Sequence, residues 1–535
     1  MIQYDLSINL TQEIICMWVM TMLEEIWKSV EEVHNHGKLA VSKTIRELVK
    51  DETLQKYYKS RNNKGWVGNS VESDWFYIPN NSRKEADIPH LNLDIKVTPI
   101  KYTRNGWSAK ERLTLNLFNF FDEHTRKFEN ASFLQKAPLI ELLYYEYKKE
   151  VDSPDYVIKA ANLLDIKNLP QEDLLIMEQD WNLIVQKIKE GKAEELSDSL
   201  TKYLGATTKG AKTESNQVEQ PFSDNQAHKR AFTLKSAYMT SLAKKFMNEI
   251  DNNEKLINSS HDLKRYTFEE IILRKFDPYI GKSKKELASI FNIKIPQNND
   301  KASSSMLARK MLNLDGEIEG TEEFKKAGIT AKILTIIPEN KKAKEHFKIL
   351  IPGESSIEPS LILNQTWKYS SLREYLTTQQ FLLVIYEKIG KDVFFKGVKF
   401  WRVNNEDLEG MIRDTWLKVK SIISKGVTLK YVKRNKPTKT GKLYEVHNNL
   451  PGIQSKSALH VRPSATTACY YNNPRLTMEL PTPSKWINKP ISTDWVEGSK
   501  PLNLPSEELT SNYMTKQAWW LNSDYMYSQV KEFFD

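Results

Sequence analysis

The chain has 535 residues, a length that exceeds what one hydrophobic core usually organises and favours two or three compact domains. Hydrophobic residues make up 40% of the chain and charged residues 27%, a balance that excludes a disordered or a fibrous protein. The 78 Lys and Arg residues exceed the 69 Asp and Glu residues, and the net charge of +9 favours a polyanionic partner such as nucleic acid.

Residues 1–30 are expected to form an N-terminal extension containing an amphipathic helix. Its most apolar stretch, residues 14–23, is too short to span a bilayer and is followed by two glutamates. No basic segment precedes this stretch and no small-residue cleavage site follows it, so neither a secretory signal nor a membrane partner is expected. The two cysteines, Cys16 and Cys469, can build neither a disulfide framework nor a zinc ribbon, so the protein is expected in the cytoplasm.

The next informative element is a short helix predicted at residues 64–72, with the sequence KGWVGNSVE. Gly65 opens this helix and Glu72 ends it. A glutamate in this position can reach an acidic cluster further along the chain, either as a third metal ligand or as a hydrogen-bond partner of a lysine.

A strand is predicted from Leu93, because Leu93, Ile95 and Val97 alternate with polar residues and are expected to face a core. Asp94 and Lys96 then project together from the opposite face of this strand. An acid and a base therefore share one edge of the predicted sheet.

Asp87 precedes Asp94 by seven residues, a distance over which a turn or a preceding strand can bring the two carboxylates together. Carboxylate oxygens are the hard ligands that Mg²⁺ prefers, and this ion retains waters and adds substrate phosphate oxygens. The sequence therefore predicts a magnesium site at Asp87 and Asp94, with Glu72 as a possible third ligand.

Hydrolysis of a phosphodiester needs an activated water, neutralised charge on the phosphate and a stabilised leaving oxygen. Lys96 can orient the water, deprotonate it or stabilise the phosphate charge, and the sequence does not decide between these roles. The competing interpretation is a solvated strand face, because this spacing of two acids and a lysine also arises by chance.

The chain also repeats itself at the length of a domain. Residues 172–191 and 406–426 share the letters EDL, a tryptophan, two apolar positions and a closing glycine. A second match pairs residues 233–239 with 514–520, and a weaker third sets residues 42–48 beside 283–287. A repeat of this length excludes a solenoid and predicts two homologous domains.

The domains are expected at residues 31–250 and 266–535, joined by a polar linker at 251–265. Aligning the strand motif with the second half places Thr330 at the position of Asp94, with Glu323 and Lys332 at the positions of Asp87 and Lys96. Because a neutral hydroxyl cannot hold a divalent cation as a carboxylate does, the second domain is expected to be catalytically silent.

The motif Lys64-Gly65-Trp66-Val67-Gly68 with Glu72, together with Asp87, Asp94 and Lys96, resembles the active site of one known family. This family contains the mismatch-repair nicking endonuclease MutH and the Sau-type restriction endonucleases that cut at GATC. The chain departs from the family pattern at Asp94, where glutamate is usual. The shorter side chain withdraws the ligand by one methylene group.

The resemblance implies an α/β (α+β) fold with two tandem restriction-endonuclease-like domains of the PD-(D/E)xK type, each with a mixed central sheet flanked by helices. It implies a type II restriction endonuclease with Mg²⁺ as cofactor and double-stranded DNA as substrate, cutting both strands before the G of GATC. It also implies a non-catalytic second domain and a cognate DNA methyltransferase in the same system. The repeat together with Thr330 leads to the hypothesis that this second domain binds DNA as an allosteric effector. Cutting both strands of a palindrome requires two active centres or two successive binding events, so a transient homodimer on DNA is expected.

The resemblance also assigns further site residues. Lys136 would be an additional lysine of the catalytic site, and Lys209, Lys212 and Lys235 would lie near the DNA. In the second half, Arg462 in a loop-like stretch and Lys516, matched to Lys235 by the repeat, are the expected DNA contacts.

Two other functions are compatible with the sequence. A mismatch-repair nicking enzyme is disfavoured because a single domain fills that role, and a non-cleaving DNA-binding regulator is disfavoured because all four acids and bases of the motif are intact. The triplet His34-Asn35-His36 is not expected to be a nuclease motif, since that motif distributes its residues over a hairpin and a helix. The basic run at residues 430–442 is a possible phosphate contact.

Overall fold

The computed structural model describes residues 20–59, 65–79, 85–103, 106–210, 216–249, 253–295, 300–433, 435–436, 444–489 and 510–535. Of the predicted N-terminal extension, residues 1–19 lie outside the described residues and residues 20–26 are helical. Among the described residues, no helix combines the length and the hydropathy needed to cross a membrane.

The chain divides into two compact units. The first consists of Met1–Lys275 and Leu312–Thr330, and the second of Phe276–Met311 and Ala331–Asp535. This division differs from the expected linker at 251–265, because residues up to Lys275 group with the first unit and a later segment joins them.

Helices and strands alternate along both units. The α-helices are, in chain order, α1 (Val30–Lys38), α2 (Ile45–Leu48), α3 (Asp51–Lys59), α4 (Trp66–Ser70), α5 (Phe120–Glu123), α6 (Ser132–Lys136), α7 (Gln171–Lys189), α8 (Ser236–Phe246), α9 (Ser260–Arg265), α10 (Phe268–Phe276), α11 (Lys284–Ile290), α12 (Asp300–Met311), α13 (Glu322–Ala327), α14 (Pro359–Asn364), α15 (Ser371–Thr378), α16 (Asn405–Asp407), α17 (Arg413–Lys425) and α18 (Ser523–Ser528). Within the described ranges, Val71–Trp75 and Leu408–Ile412 are π-helices.

The strands are β1 (Leu93–Thr103), β2 (Gly106–Ala109), β3 (Leu113–Phe118), β4 (Leu139–Glu146), β5 (Ile158–Asp165), β6 (Leu204–Thr208), β7 (Gln217–Gln220), β8 (Ser223–His228), β9 (Arg230–Leu234), β10 (Ile329–Ile337), β11 (Lys342–Ala343), β12 (Phe347–Lys348), β13 (Gln380–Ile389), β14 (Asp392–Trp401), β15 (Thr428–Lys433), β16 (Tyr444–Asn448), β17 (Leu459–Pro463), β18 (Thr477–Glu479), β19 (Lys485–Ile487), β20 (Tyr513–Thr515) and β21 (Gln517–Leu521).

The first unit is built on a mixed four-stranded sheet with the order β2-β1-β4-β5, in which β1 runs parallel to β4 and antiparallel to β2. As the alternation predicted, Leu93 and Ile95 are fully buried in an apolar core beneath β1, with Val97 packed against it. Helix α1 packs on β4 and β5 and contributes Val33 to this core. The opposite face of β1 is left to Asp94 and Lys96.

The second unit repeats this architecture. Its four-stranded sheet has the order β11-β10-β13-β14, and the central hairpin has a β-bulge between Ile385 and Tyr386, where the first unit has one between Tyr144 and Tyr145. A second sheet also recurs, as β3-β9-β6 in the first unit and β12-β21-β17 in the second. The α/β fold with two tandem, similarly built domains is confirmed.

The same side-chain hydrogen bond recurs in the two units. Tyr238 at the start of α8 donates to Asp173 of α7 over 2.9 Å, and Tyr525 in α18 donates to Asp407 of α16 over 2.9 Å. The aspartate of the repeated EDL sequence therefore accepts an equivalent hydrogen bond from a tyrosine in both halves of the chain.

The predicted match of residues 233–239 with 514–520 is wrong in its alignment. Leu204 pairs with Leu234 in the first unit as Leu459 pairs with Leu521 in the second, so β9 corresponds to β21. The residue equivalent to Lys235 is therefore Asn522, which lies further along the chain than Lys516.

The weaker third match is supported by the structure. Thr44 begins α2 and Ser283 begins α11, each with a reciprocal capping box to a glutamate three residues later. Thr44 forms a β-bridge with Val157, and Ser283 forms one with Phe394. These two helix starts are therefore equivalent, although they were the least certain match in the sequence.

Candidate active site

A tight backbone reversal brings the two aspartates of the motif together. After Asp87 the chain forms a single 3-10 turn, Pro89–Leu91, and Asn92 then adopts a left-handed conformation at φ 50°. The N–H of Ile95 donates to Asp87 Oδ2 over 3.0 Å, and the N–H of Asp87 donates to Asp94 Oδ1 over 3.3 Å. The seven residues between the aspartates thus close into a loop that places both carboxyl groups at the start of β1.

Two lysines contact these carboxylates from different elements. Lys96, two residues along β1, forms an ion pair with Asp94 Oδ2 and lies 3.9 Å from Asp87 Oδ2. Lys136, at the end of α6, lies 3.2 Å from Asp94 Oδ1 and 3.5 Å from Asp87 Oδ1, and it donates to the carbonyl of Glu85. The structure therefore places Lys136 at the same cluster, although only the family resemblance had assigned it there.

Glu72 reaches the cluster from the π-helix that continues α4. Its carboxylate interacts electrostatically with Lys96, Asp87 and Asp94, and burial raises the pKa of Glu72 to about 7. Single π-turns often occur at functional sites because they shift a side chain out of the regular helical position. All five predicted catalytic residues thus lie in one cluster.

Burial and charge set the protonation of this cluster in the DNA-free protein. Asp94 is fully buried, and burial raises its pKa to about 6 despite the neighbouring Lys96. Burial also acts on Asp87, but attraction by Lys96 and Lys136 holds the pKa of Asp87 below its ordinary value. For Lys96 the carboxylates outweigh the effect of burial and hold its pKa well above the usual range. A solvated strand face is excluded by this burial.

The donor set fits a divalent cation. In the part of the chain that the structure describes, no three His, Cys, Asp or Glu side chains form a metal-binding group by themselves. The carboxylates of Asp87 and Asp94 nevertheless face the same two ammonium groups, so both are directed at one centre of positive charge. Two carboxylates completed by waters and phosphate oxygens are the usual protein contribution to a Mg²⁺ site.

The residues expected near DNA in the first unit lie in different environments. Lys209 is exposed at the end of β6, and Lys212 lies outside the described residues. Lys235 is buried, and its ammonium group donates to the carbonyl of Thr201 over 2.8 Å. Burial lowers the pKa of Lys235. Lys235 therefore stabilises the fold in this conformation, and a direct DNA contact would require it to leave this position.

In the second unit, Arg462 lies in β17 with its guanidinium 5.1 Å from the ring centre of Trp520. Lys516 lies between β20 and β21, and its ammonium group donates to the carbonyl of Pro474 over 2.6 Å. The segment around Arg462 is therefore a strand and not the expected loop. The side chain of Arg462 is half-buried on the sheet.

The two central sheets can be aligned by equivalent backbone hydrogen bonds. In the first unit the N–H of Lys110 donates to the carbonyl of Pro99 over 3.0 Å, just after the end of β2. In the second, the N–H of Lys344 donates to the carbonyl of Thr335 over 2.8 Å, just after the end of β11. Pro99 and Thr335 are therefore equivalent positions on β1 and β10.

Counting back along the strands places Thr330 at the position of Asp94 and Lys332 at that of Lys96. The shared bulge of the neighbouring hairpin places Thr377 at the position of Lys136. One carboxylate and one lysine of the catalytic cluster are therefore threonines at the equivalent positions of the second repeat.

The remaining acid of the second motif has a different role. Glu323, at the position of Asp87, lies in α13 and accepts hydrogen bonds from the backbone N–H groups of Leu256, over 3.0 Å, and Ile257, over 2.8 Å. Its carboxylate is satisfied by these backbone donors.

The structure also brings in residues that the sequence did not single out. Glu141 of β4 is fully buried, pairs in register with Ile95, and shares a hydrogen bond of 2.9 Å with Nδ1 of His34 in α1. The equivalent position in the second unit is Leu382. The signal in the sequence is a lone acid within the apolar run 139–144, together with the histidines at positions 34 and 36.

Comparisons with known proteins agree with this geometry. The family model of the DNA mismatch repair enzyme MutH matches residues 76–180. The chain is 33% identical to the type II restriction enzyme Sau3AI of Staphylococcus aureus over 523 residues, which cover 95% of this chain and 99% of that protein. It is 22% identical to the DNA mismatch repair protein MutH of Shewanella woodyi over 217 residues, covering 40% of this chain and 91% of that protein.

Proposed function

Because the chain belongs to the MutH-like type II restriction endonucleases, which are site-specific deoxyribonucleases, we propose that it makes magnesium-dependent double-strand cuts in DNA at GATC, before the G. The full-length similarity to a restriction enzyme favours this activity over single-strand nicking, since the mismatch-repair relative matches less than half of the chain. The cluster of Asp87, Asp94, Lys96 and Lys136 is the observation that carries the proposal.

In this proposal Asp87 and Asp94 hold the divalent ion, with Glu72 beside them. The bound ion supplies positive charge to the scissile phosphate and lowers the pKa of a water molecule. Lys96 forms an ion pair with Asp94 and lies 3.9 Å from Asp87, so its side chain can orient the attacking water, deprotonate it or neutralise charge on the phosphate.

We infer that Lys136 contributes a second positive charge to the same phosphate. Its ammonium group lies against both aspartates, and its bond to the carbonyl of Glu85 holds it in place. Two lysines opposite two carboxylates keep the cluster close to neutral, which limits the energetic cost of burying it before DNA arrives.

The second unit is proposed to bind DNA without cutting it and to act as an allosteric effector. Thr330 and Thr377 replace a metal ligand and a lysine of the catalytic cluster, while positive charge is retained on the β12-β21-β17 sheet. There Lys348 and Arg462 both lie over the ring of Trp520, with ring-centre distances of 5.8 and 5.1 Å. Lys348 and Arg462 lie on the face of this sheet that points away from the apolar core of the unit. Positive charges on such a face can bind the phosphate backbone of DNA.

Both strands of a palindrome must be cut, which requires two active centres or two successive binding events. A transient homodimer on DNA, with a two-fold axis matching that of the site, satisfies this requirement. A cognate DNA methyltransferase in the same system and a cytoplasmic location complete the proposal.

Digestion of unmethylated plasmids carrying one or two GATC sites tests the proposal. With Mg²⁺ we expect double-strand breaks whose sequenced ends begin at the G, no cleavage with a chelator, and faster cleavage of the two-site plasmid at dilute enzyme. Nicks alone would support the mismatch-repair activity, and an inert protein that still binds DNA would support a regulator. Equal rates on both plasmids would contradict the effector role of the second unit.

A further inference from the structure

Trp27 connects the two segments that carry the catalytic carboxylates. Its indole N–H donates to the carbonyl of Phe76 over 3.1 Å, directly after the π-helix that carries Glu72. Its own carbonyl accepts a hydrogen bond from Nε2 of His90 over 2.8 Å. His90 lies in the 3-10 turn between Asp87 and Asp94. One buried residue thus contacts the backbone after Glu72 through its side chain and the side chain of His90 through its own carbonyl.

His36 adds a third bond to this arrangement. Its Nε2 donates to the carbonyl of Trp75 over 3.0 Å, and its ring stacks on the indole of Trp75 with a centroid distance of 4.6 Å. The ring of His36 also lies 5.0 Å from that of Trp27. We call Trp27, His36 and His90 the Trp27 cluster. In each of its three hydrogen bonds a side-chain N–H donates to a backbone carbonyl, so the bonds hold the backbone at Phe76, Trp75 and Trp27.

The segment after Glu72 requires such support. The carbonyls of Trp75 and Phe76 lie where the π-helix ends, and terminal carbonyls of a helix have no partner within it. Tyr77, the next residue, has a positive φ of 60°, a conformation that costs energy for a residue with a side chain. The N–H of Ile78 then donates to the carbonyl of Glu72 itself over 2.9 Å.

We propose that the Trp27 cluster consists of positioning residues that hold the Glu72 segment and the Asp87–Asp94 turn at a fixed separation. It acts through the backbone, so its loss moves Glu72 relative to the aspartates without removing a carboxylate. This inference rests on the proposed nuclease function only where it is tested by the rate of DNA cleavage.

The silent repeat supports this role. Asn92 and Gly328 are left-handed residues directly before equivalent strands, so His90 corresponds to Lys326, two residues before Gly328. Lys326 does not serve such a cluster: its ammonium group lies 2.8 Å from Asp173 and 2.7 Å from Glu322. The histidine of the turn is thus present in the repeat that has the carboxylates and absent from the one that lost them.

The test compares Trp27→Phe with Trp181→Phe in the full-length protein. Both variants remove a buried indole N–H bond from the first unit, because Trp181 donates to Glu123 over 2.7 Å at a site away from the cluster. We expect Trp27→Phe to lower kcat by one to two orders of magnitude with little change in KM for DNA, since small misplacements of catalytic groups have effects of about this size. Trp181→Phe should keep the wild-type kcat.

Hydrogen exchange gives a readout that does not depend on cleavage. In Trp27→Phe the amides of residues 71–78 and 88–94 should exchange faster together, whereas Trp181→Phe should leave both segments unchanged. His36→Gln, whose amide can still donate to Trp75, should retain more activity than His36→Leu. Equal kcat in the two tryptophan variants, or unchanged exchange in both segments, would overturn the proposal. A wild-type protein that cleaves no DNA would instead overturn the proposed function, while the exchange measurement would still decide this one.

Discussion

The buried acid Glu141 illustrates how a single residue affects this fold. Burial raises the pKa of Glu141 to about 8, so its carboxyl group is protonated at neutral pH beside His34. A group whose pKa is higher in the folded than in the unfolded chain stabilises the fold fully at low pH. That stability is lost as pH rises from about 4.5 to about 8.

We therefore predict that Glu141→Gln reduces the loss of stability at alkaline pH. Between pH 6.5 and 8.5 the wild-type protein should lose up to about 1.4 kcal/mol of unfolding free energy per pH unit through this group, and the variant should not. Burial lowers the pKa of His34, so the change in stability caused by its titration falls below this pH range. Denaturant unfolding at several pH values measures the difference.

Glu146→Gln on the same strand is the matched control. Lys148 and Lys159 hold the pKa of Glu146 below its ordinary value, so it titrates below the measured pH range. The same pH slope in wild type and Glu141→Gln would show that Glu141 is already ionised, contrary to this account.

At the scale of single residues, the sequence predicted the catalytic cluster better than the buried residues around it. The alternation of β1 predicted that Asp94 and Lys96 share a face, and their spacing from Asp87 allowed the closure that the structure shows. Lys136 was identified only through the family resemblance, because a lysine at the end of a helix has no pattern of its own. The burial of Lys235 and Glu141 depends on contacts distant in sequence, which periodicity does not reveal.

At the scale of elements, the bonds Tyr238–Asp173 and Tyr525–Asp407 join the helix after the second sheet of each unit to an equivalent acid, in α7 of the first unit and in the short helix α16 of the second. Removing either tyrosine hydroxyl leaves the partner aspartate with one hydrogen-bond donor fewer. A hydrogen bond to a charged group contributes about 1.5–3 kcal/mol. The two bonds should therefore have similar energetic importance in their own units.

We predict that Tyr525→Phe and Tyr238→Phe each lower the unfolding free energy by about 2 kcal/mol. Denaturant titration monitored by circular dichroism measures the loss. Tyr102→Phe, at a side chain that is 67% exposed, provides the baseline for a tyrosine hydroxyl on the surface. Losses no larger than that of the Tyr102 variant would contradict a structural role for the repeated bond.

Strand register explains why one repeat was misaligned. The stretches around Lys235 and Lys516 share a lysine followed by an aromatic residue, but this similarity is short. Pairing of β9 and β21 with their neighbours selects a different alignment, in which Leu234-Lys235-Ser236 matches Leu521-Asn522-Ser523. Register depends on the partner strand, so a short match in one segment does not determine it.

At the scale of the whole molecule, two domains and their common fold were predictable from the repeat, but their limits were not. Segment Leu312–Thr330 groups with the first unit because Lys326 pairs with Asp173 and Glu323 binds the backbone of Leu256. These side chains occupy positions that hold His90 and Asp87 in the first repeat. At these positions of the second repeat the side chains take part in packing, which a linear reading of composition does not detect.

One cluster, in the first unit, is proposed to perform the chemistry, and Lys96→Ala and Lys332→Ala test this at equivalent positions of the two repeats. We predict that Lys96→Ala abolishes cleavage of a short duplex with a single site while DNA binding persists, and that Lys332→Ala leaves the single-turnover cleavage rate unchanged. Cleavage retained in Lys96→Ala, or an equal loss in both variants, would contradict the account.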